Sequence, residues 1–188
     1  MRSARSRSEC SGKSKRNSRP AIRSYLAELD AFCKEQERVQ REKQAKFKAD
    51  NPELFRRYPK FSKALAKVLD LSDEIQPAAT EEQIADQEST LDFTLPSQVR
   101  EFFRLTAGIQ ASTGVNLILS GMFALTIHGE RYCVLGEFWK EADGDQILLR
   151  PGEDTIWYYT HEQDKVKRLC NDMTELLEKK LARYLNEH

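Results

Sequence analysis

Between Val115 and Thr160 the chain carries five short apolar runs: Val115–Leu119, Met122–His128, Tyr132–Phe138, Gln146–Arg150 and Thr155–Thr160. Turn signals separate them at Ser120-Gly121, His128-Gly129, Asp143-Gly144 and Pro151-Gly152, where glycine supplies backbone angles that other residues resist. Parallel neighbours need a crossover of a dozen or more residues, and no gap here is that long. The runs therefore predict an antiparallel meander, which excludes a doubly wound parallel sheet.

Helical signals flank the strands. Leu95-Pro96 opens a segment whose Val99, Phe102, Phe103 and Thr106 have helical spacing, and Gly108 is positioned to close it in a left-handed conformation. Near the C-terminus Asp172 stands three residues before Glu175, a helix-start pattern. Met173, Leu176, Leu177, Leu181, Tyr184 and Leu185 then form one apolar face. The expected fold class is α+β: an antiparallel meander sheet packed by a first and a last helix.

An N-terminal helical extension precedes this domain. Ile22, Tyr25, Leu26, Leu29, Phe32 and Cys33 mark an amphipathic stripe, which fades over residues 34–48 into a solvated rod with Val39 and Phe47 as its only large apolar side chains. The stripe is too short for the three apolar heptads of a coiled coil. Asn51-Pro52 starts a further helix, and Pro59 divides Leu54, Phe55 and Tyr58 from Phe61, Leu65, Val68 and Leu69.

Charge divides the chain in the same way. Residues 1–79 hold 19 Lys/Arg against 11 Asp/Glu, a balance of +8, and residues 80–188 hold 11 against 19, a balance of −8. No basic residue lies between Lys67 and Arg100. The expected organisation is a basic, serine-rich disordered tail (1–20), a helical extension (21–71), a linker (72–80) and a binding domain (81–188). Weak nucleic-acid contact through residues 1–60 stays open, because a basic arm attracts phosphates without reading sequence.

Chemistry-bearing patterns are sparse. Cys10, Cys33, Cys133 and Cys170 show no metal-ligand spacing, and no GxSxG, P-loop, HExxH or EF-hand pattern occurs. His161-Glu162 and Asp143/Asp145 are the only arrangements that suggest acid–base or metal chemistry, and a structural corner and turn chemistry account for them more simply. The expectation is no enzyme, no metal and no cofactor. With no apolar run of membrane-spanning length, the chain is expected to be cytoplasmic.

Several strings together resemble the SUKH superfamily, the Smi/Knr-type domain. They are the acidic segment from Glu82 to Glu88, then Leu95-Pro96-Ser97-Gln98-Val99-Arg100-Glu101-Phe102-Phe103, and Gly108. Further on come Gly136-Glu137-Phe138, Gly144-Asp145 with Ile147-Leu148-Leu149, and Ile156-Trp157-Tyr158-Tyr159-Thr160-His161-Glu162. Leu95, Pro96, Gly108, Gly136, Trp157, His161 and Glu162 are the structural marks, and the stretch 109–121 matches poorly. The resemblance implies a noncatalytic binding domain, either an immunity protein that neutralises a toxin such as a nuclease or a regulatory scaffold module.

The residues point the same way. Glu137, Glu141, Asp143, Asp145, Glu153 and Asp154 fall largely on turns of the meander and suit a basic partner, with Trp139 beside them as an aromatic anchor. These seven are the candidate partner-binding residues.

Overall fold

The computed structural model describes residues 18–70 and 72–187, so residues 1–17 of the expected tail (1–20) lie outside the described residues. The described residues divide into two units, one up to Val39 and one from Gln40 onward. Helix α1, Ser18–Asp50, begins in the first and ends in the second. In the first unit its stripe of Ile22, Tyr25, Leu26, Leu29 and Phe32 is 46–65% exposed.

The second unit is built on one eight-stranded antiparallel sheet. Its strands are β1 (Glu74–Ile75), β2 (Gly108–Ala111), β3 (Val115–Ile118), β4 (Phe123–Ile127), β5 (Glu130–Phe138), β6 (Gln146–Leu149), β7 (Ile156–Thr160) and β8 (Lys165–Cys170). The α+β class and the antiparallel sheet match the expectation, with one departure. β3 and β4 do not pair with each other; both pair with β5, β4 against residues 130–134 and β3 against 136–138. The cause is local: Ser120-Gly121 makes a 3-10 turn, Leu119–Gly121, instead of a hairpin, and Gly121 keeps a negative φ. His128, Gly129, Gly144 and Gly152 do adopt positive φ, as tight turns require.

One face of the sheet is covered by helices. These are α2 (Pro52–Arg57), α3 (Pro59–Val68), α4 (Glu81–Leu91), α5 (Ser97–Phe103) and a C-terminal segment of α6 (Met173–Glu175), a π-helical stretch Leu176–Leu181 and α7 (Ala182–Glu187). Leu54, Tyr58, Phe61, Leu65, Phe102, Phe103, Leu177 and Leu181 pack there with Ile109, Leu117, Leu135, Phe138 and Ile147 of the strands. Each fully buried Leu or Phe contributes about 1.5–3 kcal/mol. Capping fixes the helix starts: Asp172 accepts from the Glu175 N–H at 2.7 Å, and Thr80 with Gln83 forms a reciprocal box at α4. Glu88 of α4 accepts from the Leu95 N–H and from Arg100, both at 2.8 Å, which ties the acidic helix to the Leu95-Pro96 turn.

Four expectations need correction. Gly108 does not cap a helix: α5 ends at Phe103 with Arg104 as its C-cap, and Gly108 opens β2 at negative φ. A Cβ there would press on the movable end of the Gln76 side chain and stand 3.2 Å from Ile118 Cγ1. Residues 72–80 are not a free linker, since Glu74 and Ile75 pair with Gln110 and Ile109. Residues 34–48 are not solvated throughout, because Phe47 is buried in the core and Gln40 and Lys43 donate to carbonyls of Leu69 and Asp73. β8 is a strand with no counterpart among the five apolar runs, its Lys165, Lys167 and Arg168 having hidden the pattern.

Candidate partner-binding surface

The opposite face of the sheet carries a second, smaller cluster of Ile127, Tyr132, Val134 and Leu148, which contains no helical side chain. The β4–β5 hairpin closes over part of this face. At its tip His128 Nε2 lies 3.0 Å from Asp164 Oδ2, and the Tyr159 hydroxyl donates to the same carboxylate at 2.9 Å. These contacts hold the Asp164 carboxyl below the usual carboxylate range, His128 contributing most.

Directly opposed residues in an antiparallel pair share a face. Following the register strand by strand, Glu74 opposes Gln110, Gln110 opposes Asn116, Asn116 opposes Glu137, Glu137 opposes Gln146 and Gln146 opposes Tyr159. A polar row therefore crosses the helix-free face. Its flanking rows, such as Ile109, Leu117 and Ile147, point into the core, as the period of two demands.

Glu137 sits at the middle of the row and is half-buried. Its Oε2 accepts from Asn116 Nδ2 at 3.2 Å and from the Trp139 indole at 3.0 Å. Trp139 is held in turn by Gly114, whose φ of 82° suits glycine and where a Cβ would stand 2.7 Å from the indole ring. Gly136 is required by close approach: its Cβ would stand 2.0 Å from the Asn116 carbonyl oxygen. Beside these residues, in the notch where β3 ends and β4 begins along β5, lies a groove of about 230 Å³. Asn116, Glu137, Gln146, Ile118, Phe123 and Val134 face it. Asn116 Oδ1 and Gln146 Oε1 are buried without a hydrogen-bond partner.

The seven candidate residues do not form one patch. Glu137 and Trp139 meet at the polar row. Glu141 and Asp143 are exposed on the β5–β6 loop, with Glu141 paired to Lys167 at 3.0 Å. Glu153 and Asp154 lie on the β6–β7 turn, at the other end of those strands. Glu153 accepts from the Trp157 indole at 3.2 Å, and Arg150 stacks 4.0 Å from that ring.

Asp145 is a correction. It is 0% exposed and cannot serve as a surface charge. Its Oδ2 accepts from the Tyr158 hydroxyl at 2.6 Å and the Ala142 N–H at 3.1 Å, and its Oδ1 accepts from the His161 N–H at 3.2 Å. The His161 ring nitrogen Nδ1 stands 3.1 Å from the same Oδ1. Burial pushes the Asp145 carboxyl up, but the donors, Tyr158 foremost, outweigh it and hold it below the usual range. Burial also raises the Tyr158 phenol, and the neighbouring Asp145 adds to that rise. The family mark at His161 is thus one side of a buried carboxylate clamp joining two turns, while Glu162 beside it is exposed. Among the described residues no group of His, Cys, Asp and Glu is arranged to hold a metal ion, and no helix is long and apolar enough to cross a membrane.

Asn116, Gln110 and Gln146 are the functional candidates that sequence reasoning missed. Asn116 and Gln146 sit inside apolar runs, Gln110 lies in the short strand before the first of them, and only the register brings them together.

The arrangement defines a class: a one-sided α+β domain, with helices on one face of a single antiparallel sheet and an open polar row on the other. Within that class the chain belongs to the SMI1/KNR4 family (SUKH-1), whose family model matches residues 78–179, from the approach to α4 into the C-terminal helix. The match leaves α1 to α3 and β1 outside it. No curated protein matches the chain. The family points to an immunity-type or scaffold domain.

Proposed function

We propose that the chain works without catalysis, binding another protein through the helix-free face, and that its task is to neutralise a toxin of basic character, such as a nuclease, in the cytoplasm. The observation that carries this reading is the row from Glu74 to Tyr159, an open polar strip with unsatisfied acceptors at its centre. Buried polar atoms without partners are rare within a folded chain, and Asn116 Oδ1 and Gln146 Oε1 gain partners if docking draws their side chains outward. The −8 balance of residues 80–188 supplies an attractive field for a basic toxin, effective over about a Debye length of 8–10 Å. Co-expression with each toxin encoded beside the gene tests this. Restored growth together with a stable complex is expected, and failure to protect against every neighbouring toxin sinks the reading.

A second reading, a scaffold or regulatory module, draws on the exposed stripe of Ile22, Tyr25, Leu26, Leu29 and Phe32. A helix face of that kind suits a groove on a second protein. Under this reading, Leu26→Glu with Leu29→Glu removes one partner while leaving capture by the sheet face intact.

A further inference from the structure

Taking the helix-free face as the partner surface, we propose that its central groove receives one arginine side chain of the bound protein. Glu137, Asn116 and Gln146 hold the guanidinium, and Phe123, Ile118 and Val134 line its stem.

The charge of the groove sets the chemistry. Among the described residues Glu137 is the only ionisable one lining it, and no Lys, Arg or His of them forms an ion pair with that carboxylate. Its Oε2 is engaged by two neutral donors, and its Oε1 by none. Two further acceptors, Asn116 Oδ1 and Gln146 Oε1, lack partners on either side of it; both oxygens are buried in the empty groove, so the guanidinium reaches them only as the two side chains turn outward on binding. All three oxygens belong to directly opposed residues of β3, β5 and β6, whose Cβ atoms are about 4.5–5.5 Å apart. An acceptor-rich wall with one uncompensated negative charge calls for a cationic donor.

Size and shape narrow the choice. At about 230 Å³ the groove is smaller than the roughly 300–1,000 Å³ of drug-sized sites, so it suits a single side chain. Its apolar walls match a methylene stem, and Phe123, 45% exposed at the rim, offers a ring face to a cation. Arginine fits better than lysine. Its five N–H donors form a planar fork that spreads across neighbouring acceptors, whereas an ammonium concentrates its donors at one point. Arginine is also among the residues that dominate protein interfaces.

The test titrates the full-length chain with N-acetyl-arginine amide, followed by NMR, with the neutral citrulline analogue as control. Saturable shifts are expected at the side-chain amides of Asn116 and Gln146 and the backbone amides of Gly136 and Glu137, at roughly millimolar affinity for so small a probe. The variant Glu137→Gln keeps an oxygen for Asn116 and Trp139, so it preserves the fold while removing the charge. It should weaken binding about tenfold or more, the weight of a charge-assisted hydrogen bond. Phe123→Ala, on the rim, should weaken it without disturbing the core.

An equal response to the citrulline analogue, unchanged affinity in Glu137→Gln, or shifts confined to the turns at 139–145 and 150–154 would overturn the proposal. So would concentration-dependent shifts at the same residues before any probe is added, which would place a second copy of the chain in the groove. A toxin that binds wild type and Glu137→Gln alike sinks the arginine receptor and spares the functional reading. A positive titration with no toxin captured does the reverse.

Discussion

Replacing Asp145 by Asn exchanges one oxygen of a buried clamp for an NH2 group and leaves shape and volume almost unchanged. In the wild type, Oδ2 receives the Tyr158 hydroxyl and the Ala142 N–H, and Oδ1 receives the His161 N–H with the His161 ring beside it. The Tyr158 hydroxyl and the imidazole can each reverse roles, because both can accept a hydrogen bond. The two backbone N–H groups cannot. Whichever way the Asn amide is turned, one of them faces an NH2 and loses its acceptor, at a cost of about 1–3 kcal/mol. At roughly 2–4 °C per kcal/mol for a chain of this size, a central cost of about 2 kcal/mol lowers the melting temperature by about 4–8 °C.

The pH dependence carries a sign. The Asp145 carboxyl titrates below its usual range in the folded chain, so its contribution is present above about pH 4 and is lost as pH falls through the folded value. The stability gap between wild type and Asp145→Asn should therefore narrow on acidification from pH 7 to pH 3, read by thermal melts followed by circular dichroism. A variant melting within about 1 °C of wild type at pH 7, or a gap unchanged at pH 3, would refute the clamp.

Two further outcomes are expected. Gly136→Ala puts a Cβ against the Asn116 carbonyl, forces β3 away from β5 and costs about 1–3 kcal/mol of stability, read as a lowered urea midpoint; an unchanged midpoint would contradict the close approach. Deleting residues 1–39 should leave the melting transition of the sheet unit in place, whereas deleting 1–60 removes Phe47, Leu54 and Tyr58 from the core and should abolish it. The shorter deletion is also the right test of nucleic-acid contact, since salt-sensitive DNA binding lost with it would support that contact and no binding at low salt would exclude it.

How much of this was legible beforehand depended on whether a signal was local. The turns at His128-Gly129, Gly144 and Gly152 and the cap at Asp172 are written in two to four adjacent residues, and all were found. β1 and β2 were not, because a two-residue strand has no period and Gly108 resembles a helix cap. Asp145 looked like a surface charge because acidic residues around a glycine usually decorate turns. Its burial depends on Tyr158 and His161, thirteen and sixteen residues away, arriving at the same point. The polar row was the hardest to see. Asn116, Glu137 and Gln146 each alternate properly within their own strands, yet their alignment is a property of register across the sheet, which no single window contains.

The notch on the helix-free face follows from the division of β5 between two partners. Its width is set by chain length, through the short turn Leu119–Gly121 that carries the chain from β3 to β4. Adding or removing one residue there slides β4 along β5 by a single position and moves Phe123 to the other side of the sheet, since side chains alternate with a period of two. A one-residue change in this turn therefore re-faces the whole of β4, taking Phe123 off the groove and Ile127 out of its buried cluster in the same step.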